Sequence, residues 1–208
     1  TYNPLAGLTA DEAADALYET FFAAYKNVNL HYATLSRRLL QQACRVCVDL
    51  AAARVTRIGG GTWTIGLADV ADLLNLDTLR SVNPYLSPSV AASLTRYLAD
   101  IDASKNEGDV GDVRDRVAVI VDTDAGRVLD ATGFQLEQAI RAGDIVCLSL
   151  DAAGAPQTAR TIGALAVQDL CATFGRLARD GWGKTHMCPV ILDEFGALGT
   201  PRVAHLYA

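Results

Sequence analysis

The sequence predicts a mainly helical chain with an α/β part: an all-α region over residues 1–105, then a unit with parallel strands over residues 106–208. Three observations predict it. Apolar residues recur at helical spacing between start and stop signals throughout the first half. Two short apolar runs, Asp144–Leu150 and Pro189–Leu192, have the length and content of strands buried on both faces. Between them, about Gln157 to Arg179, lies a long amphipathic pattern, and strand–helix–strand at this spacing implies a right-handed crossover joining parallel strands.

Tyr2-Asn3-Pro4-Leu5 reads as extended, because the residue before proline is pushed out of the α region. Thr9-Ala10-Asp11-Glu12 is a capping box, in which the Thr9 hydroxyl and Glu12 carboxylate each satisfy a backbone N–H. The helix that follows presents Ala13, Leu17, Phe21 and Ala24 on one face, and Asn27–Asn29 breaks it. A longer helix runs from about Leu30 into the Ala51–Arg54 region, with a stripe of Leu35, Leu39, Ala43, Val46 and Leu50. Gly59-Gly60-Gly61 stops any helix; a loop leading to a short helix over Leu67–Leu74 fits better than a β-hairpin, although the flanking residues are β-prone. Asp77–Val82 is a further short helix ending before Pro84. Ser87-Pro88 then starts a helix that runs to about Ser104, with Val90, Leu94, Leu98 and Ile101 inward. Lys105–Gly111, polar and glycine-containing, is the candidate domain boundary. Helical patterns resume over Asp112–Asp122 and over Phe134–Arg141, the latter closed by Gly143. In the long helix after the first strand, Ile162, Leu165, Ala166, Leu170, Phe174 and Leu177 point inward.

Half of the 208 residues are hydrophobic and a fifth are charged, which suits a folded chain, and no apolar run approaches the ~18 residues that span a bilayer. The net charge of −6 argues against a nucleic-acid surface covering the whole chain. Residues 1–105 carry nine Lys+Arg against ten Asp+Glu, and residues 106–208 nine against fourteen, so the acidity lies in the second half. The first half holds a modest basic group, Arg37, Arg38, Arg45, Arg54 and Arg57, which reads as a solvated helix face. Cys44, Cys47, Cys147, Cys171 and Cys188 make no disulfide framework. Cys44-x-x-Cys47 lacks the second pair that a zinc site needs and reads as two packed thiols one turn apart.

Chemistry is suggested at one place. The run Pro189-Val190-Ile191-Leu192 ends in Asp193-Glu194 and turns at Gly196. Open α/β sheets place ligands beyond the carboxyl ends of their strands, where Asp193 could hold hydrated Mg²⁺ and Glu194 could orient or deprotonate an attacking water. The competing reading makes both acids helix-capping groups favoured by the N-terminal dipole.

Four stretches together resemble type IV coupling proteins, the TraD/TraG-like ATPases of conjugative DNA transfer in the FtsK/HerA superfamily. They are Asn3-Pro4-Leu5, Gly143–Leu150, the Leu165–Leu170 helix with Gln168-Asp169-Leu170, and Leu192-Asp193-Glu194-Phe195-Gly196-Ala197-Leu198-Gly199. The resemblance spans nearly the whole chain and is most specific in the last stretch. It implies an all-α domain, from about Gly7 to Lys105, inserted into a RecA-like nucleotide-binding domain that resumes near Asp112 and is cut off just after its Walker B strand. It implies ATP and Mg²⁺ as cofactors in the intact protein, with Asp193 the Mg²⁺-associated acid and Glu194 the catalytic one. It also implies a hexameric ring around DNA, docked on a type IV secretion channel and anchored in the bacterial membrane with this part in the cytoplasm. The implied partners of the helical domain are a relaxase, relaxosome accessory proteins or secreted substrates.

The departures are specific. No Gly-x-x-x-x-Gly-Lys-Ser/Thr loop occurs, and Gly59-Gly60-Gly61 is followed by Thr62-Trp63-Thr64 rather than a lysine, so a phosphate cradle is missing. The chain is therefore expected to be an internal fragment without ATPase activity of its own. The alternatives are a non-catalytic helical adaptor and another P-loop DNA-translocating motor.

Overall fold

The computed structural model describes residues 1–22, 30–57, 59–104, 107–124 and 126–193. Helix α1, Ala10–Phe21, begins at the predicted capping box: Glu12 N donates to Thr9 Oγ1 (3.2 Å), and Thr9 N donates to Glu12 Oε2 (2.9 Å). It lays Ala13, Leu17 and Phe21 on α2, Leu30–Ala52, which is the centre of the molecule. The predicted α2 stripe of Leu35, Leu39, Ala43, Val46 and Leu50 is buried throughout, and Leu40, Cys44 and Cys47 widen it into a second buried face. A helix covered on more than one side needs this broader apolar arc.

After α2 the chain reverses at Arg54, which adopts φ 53° where glycine is the usual choice. Gly59, Gly60 and Gly61 all take positive φ, and this lets the chain fold back so that Thr56 pairs antiparallel with Thr62 and Trp63 N donates to Val55 O at 3.0 Å. The hairpin set aside in favour of a loop thus exists in minimal form. It leads into α3, Leu67–Leu73, then α4, Leu76–Val82, capped by the Asn75 side chain, and a 3₁₀ turn over Asn83–Tyr85. Helix α5, Pro88–Ser104, starts where Ser87-Pro88 predicts, but the Ser87 hydroxyl donates to Asp49 Oδ1 of α2 (2.8 Å), so Ser87 fastens two helices together.

Helix α6, Glu107–Val121, packs on α2 and α3 through buried Val113, Val117 and Ile120, and the core continues through it. Helix α7, Leu136–Ala142, closes on Gly143 in the left-handed conformation, as predicted. Helix α8, Pro156–Arg179, packs on α1 and α7. The N-terminal segment threads between these parts. Tyr2 pairs with both Leu129 and Phe134, with Tyr2 N donating to Val128 O (2.7 Å) and Asp130 N to Tyr2 O (3.1 Å). Buried Asn3 donates to the carbonyls of Ile65 and Ala131 and accepts from Leu5 N, so its side chain stitches three segments.

The α/β part is not seen. The chain is 66% helical with 3% in isolated bridges, and no sheet forms among the described residues, which makes them all-α and overturns the expectation of a RecA-like unit with parallel strands. Residues 144–150 and 186–192, which include both expected strands, carry no regular secondary structure, and their N–H groups beyond Asp144 join no backbone ladder. Ile145 is 98% exposed and Ile191 91% exposed, where an inner strand would bury both. The physical reason is that a short apolar run becomes a strand only when a neighbour supplies hydrogen bonds along its length. Among the described residues neither run finds one. Val146 and Leu150 are half-buried while Ile145 and Cys147 face solvent, so each run keeps one covered side at most. No helix among the described residues is long and apolar enough to cross a membrane.

Candidate functional site

Asp193, the predicted Mg²⁺-associated acid, is exposed at a turn directly after the unpaired apolar run. Glu194, the predicted catalytic acid, lies outside the described residues, as does the rest of the Phe195–Gly199 stretch. Among the described residues no group of three or more His, Cys, Asp or Glu residues could hold a metal ion. The glycine turn offers no phosphate cradle either. Its nearest cation, Arg57, is engaged by Asp69 (Nη1–Oδ1 2.6 Å) and by Asp72, and lies 4.7 Å from the Trp63 ring centroid.

The same holds across the basic face. Arg37 pairs with Asp15 of α1 (2.6 Å), Arg45 with Asp11 of α1 (3.1 Å) and Arg38 with Asp100 of α5 (2.8 Å). Exposed pairs of this kind add little stability, ~0–1 kcal/mol each, but they do cancel the local charge. Four of the five basic residues singled out in the sequence are thus ion-paired, and α2 presents a neutralised face between two helices. Cys44 and Cys47 are buried thiols, as read. Burial pushes Cys44 well up and Cys47 up to about 12, and the Cys47 thiol donates to Thr64 O at 3.1 Å, which leaves both inert as nucleophiles at neutral pH.

The most elaborate polar constellation is one that sequence reading missed. Asp169 of α8 is 1% exposed, and its carboxylate accepts from the Tyr2 hydroxyl (2.7 Å) and the Thr173 hydroxyl (3.3 Å). Two turns beyond Asp169, Arg176 donates through Nε to Glu137 of α7 (2.6 Å) and through Nη2 to Thr173 (3.0 Å), and its Nη1 lies 3.9 Å from Glu12 of α1. Arg141 ties Glu137 to Asp180. Burial raises the proton affinity of Asp169 to about 6, with the Tyr2 hydrogen bond and Arg176 opposing, whereas Arg176 and Arg141 hold Glu137 below its ordinary range. The signal was present in the sequence: Asp169 and Thr173 occupy the inward stripe of α8 between Leu165 and Leu177, so a buried acid needed a partner. That the partner is Tyr2, 167 residues away, has no local signature.

Comparison with known proteins found no match to any family model, curated protein or solved structure.

Proposed function

We propose that this chain is a helical recruitment module of a coupling-protein-type DNA-transfer ATPase, acting on the cytoplasmic side of a membrane-anchored hexamer, and that it captures protein rather than DNA. The resemblance in Asn3-Pro4-Leu5, Gly143–Leu150 and Leu192–Gly199 supports the class of machine. One structural observation carries the choice of cargo: the arginines of α2 are matched to carboxylates of α1 and α5. Binding a phosphate backbone needs cations that release counterions on contact, and paired arginines on a chain of net charge −6 do that poorly. Protein surfaces of mixed charge make no such demand.

The test is direct titration of the 208-residue chain with a purified relaxase by calorimetry, with labelled duplex DNA by fluorescence anisotropy, and with MgATP. The expected outcome is saturable relaxase binding, duplex binding at least tenfold weaker at ~0.15 M salt, and no heat from MgATP. Duplex DNA bound more tightly than relaxase would overturn the assignment of cargo. A second reading, a helical adaptor belonging to no motor, is favoured by the lack of regular secondary structure over residues 186–192. Relaxase that fails to bind the folded chain would decide for it.

A further inference from the structure

Among the described residues, α7 and α8 stand apart from the other helices in what they bury. The contiguous core of buried apolar side chains runs through the N-terminal segment and α1–α6 and takes only Ile162 and Leu165 from this pair. Ile140, Val167 and Leu177 are buried outside it. Helix α8 also buries Thr161, Gln168, Asp169 and Thr173, whereas the buried residues of α2 are apolar except Ser36. Two buried donors of α8, Gln168 Nε2 and Arg176 Nη1, make no hydrogen bond. Each has lost its water without compensation, which weakens the closed packing relative to any form that rehydrates it. The two helices hold each other through Arg176 Nε on Glu137 (2.6 Å) and through Arg141, which pairs with Glu137 and Asp180. Across the seam, Arg176 and Arg179 each lie 3.9 Å from Glu12 of α1, and the Tyr2 hydroxyl donates to Asp169 at 2.7 Å. The Tyr2 backbone is anchored on the far side, where it pairs with residues 128–134, and Asn3 beside it binds Ile65 O and Ala131 O.

We propose that α7 and α8 form a lid that swings off α1 as one unit while α2–α6 stay folded, with the Tyr2 hydroxyl as its strap. The chain enters α7 at Gln135, whose side chain leaves the helix start uncapped, so the backbone can turn there without breaking a cap. Opening returns Asp169 and the two unpaired donors to water, which offsets part of the apolar contact that is lost. It also uncovers the side of α1 on which α8 packs. A partner that binds this side selects the open form and holds it, so the lid makes that surface of α1 switchable.

Amide hydrogen exchange of the whole chain at low urea reads the lid directly. Amides over residues 165–173 of α8 should be at least roughly tenfold less protected than those over 39–50 of α2, with a shallower dependence on urea, because the open form exposes only part of the buried surface. Two substitutions separate the lid from the bundle. Ile101→Val, at a buried position of α5, should lower α2 protection by about three- to tenfold and leave α8 unchanged, since that packing survives opening. Tyr2→Phe destabilises the closed form relative to both the open and the unfolded chain, so it should lower protection in α8 and α2 by the same factor, roughly tenfold. One protection and one urea slope for both helices, or an equal loss in both under Ile101→Val, would mean a single cooperative unit and overturn the lid. Unchanged α8 protection in Tyr2→Phe would overturn the strap. Should Tyr2→Phe not fold, the wild-type slopes and Ile101→Val decide.

Discussion

Arg57 lies over the Trp63 ring with two terminal nitrogens on two carboxylates, and Asp69, nearly buried, also accepts from the backbone N–H and hydroxyl of Thr64. Three residues from the two sides of the glycine turn, Arg57, Trp63 and Thr64, are thereby tied to Asp69 and Asp72 of α3. Burial pushes the Asp69 carboxyl up, and the Thr64 hydrogen bonds and Arg57 oppose this, so the site is held by mutual satisfaction rather than by surplus charge. Removing one partner leaves the others desolvated and unpaired. Asp69→Ala should cost about 1–3 kcal/mol, below the ~3–5 of a fully buried pair, because Arg57 keeps access to water. Asp69→Asn, which retains an acceptor for Thr64, should recover part of it. Urea denaturation of the two variants checks the order. None of this was legible from Thr62-Trp63-Thr64 read alone, where the segment registered only as the wrong sequel to a phosphate loop.

Elements whose boundaries depend on local chemistry were legible; those placed by distant contacts were not. The capping box at Thr9 and Glu12, proline at the start of α5 and Gly143 after α7 act within one turn of chain, and each stands where it was read. The N-terminal segment is the opposite case. Its extended backbone followed from Pro4, but its position beside residues 128–134 depends on Gly133, where a Cβ would lie 2.5 Å from Tyr2 N and 2.6 Å from Tyr2 C. Those atoms belong to a backbone held by hydrogen bonds on both sides, so they cannot yield as a flexible side chain would. Gly133→Ala should therefore displace the segment and cost about 1–3 kcal/mol, the range for forcing atoms into a packed site. A urea midpoint unchanged from wild type would mean that the segment seats without this close approach.

At the scale of the whole molecule, the sequence misled at the two apolar runs around α8. Four or more consecutive apolar residues suggest burial on both faces, yet periodicity reports only what a segment could bury, and the ladder that makes a strand must come from elsewhere. The helices did not carry this ambiguity, since each closes its own hydrogen bonds and needs a neighbour only for its apolar face. Asp193 inherits the consequence, because a carboxylate at the end of an unpaired run lacks the rigid strand end that a catalytic pair needs. The difference can be measured in one substitution. Ile191 is 91% exposed, so Ile191→Lys should change stability by no more than ~0.5 kcal/mol, as surface substitutions do. Leu165→Ala, at a fully buried position of α8, should cost about 2–5 kcal/mol and calibrates the assay. If Ile191→Lys proves as costly as Leu165→Ala in the folded 208-residue chain, residue 191 is buried in solution and the run is paired there. An indifferent Ile191→Lys beside a damaging Leu165→Ala would fix the boundary of the core at α8 and leave the run outside it.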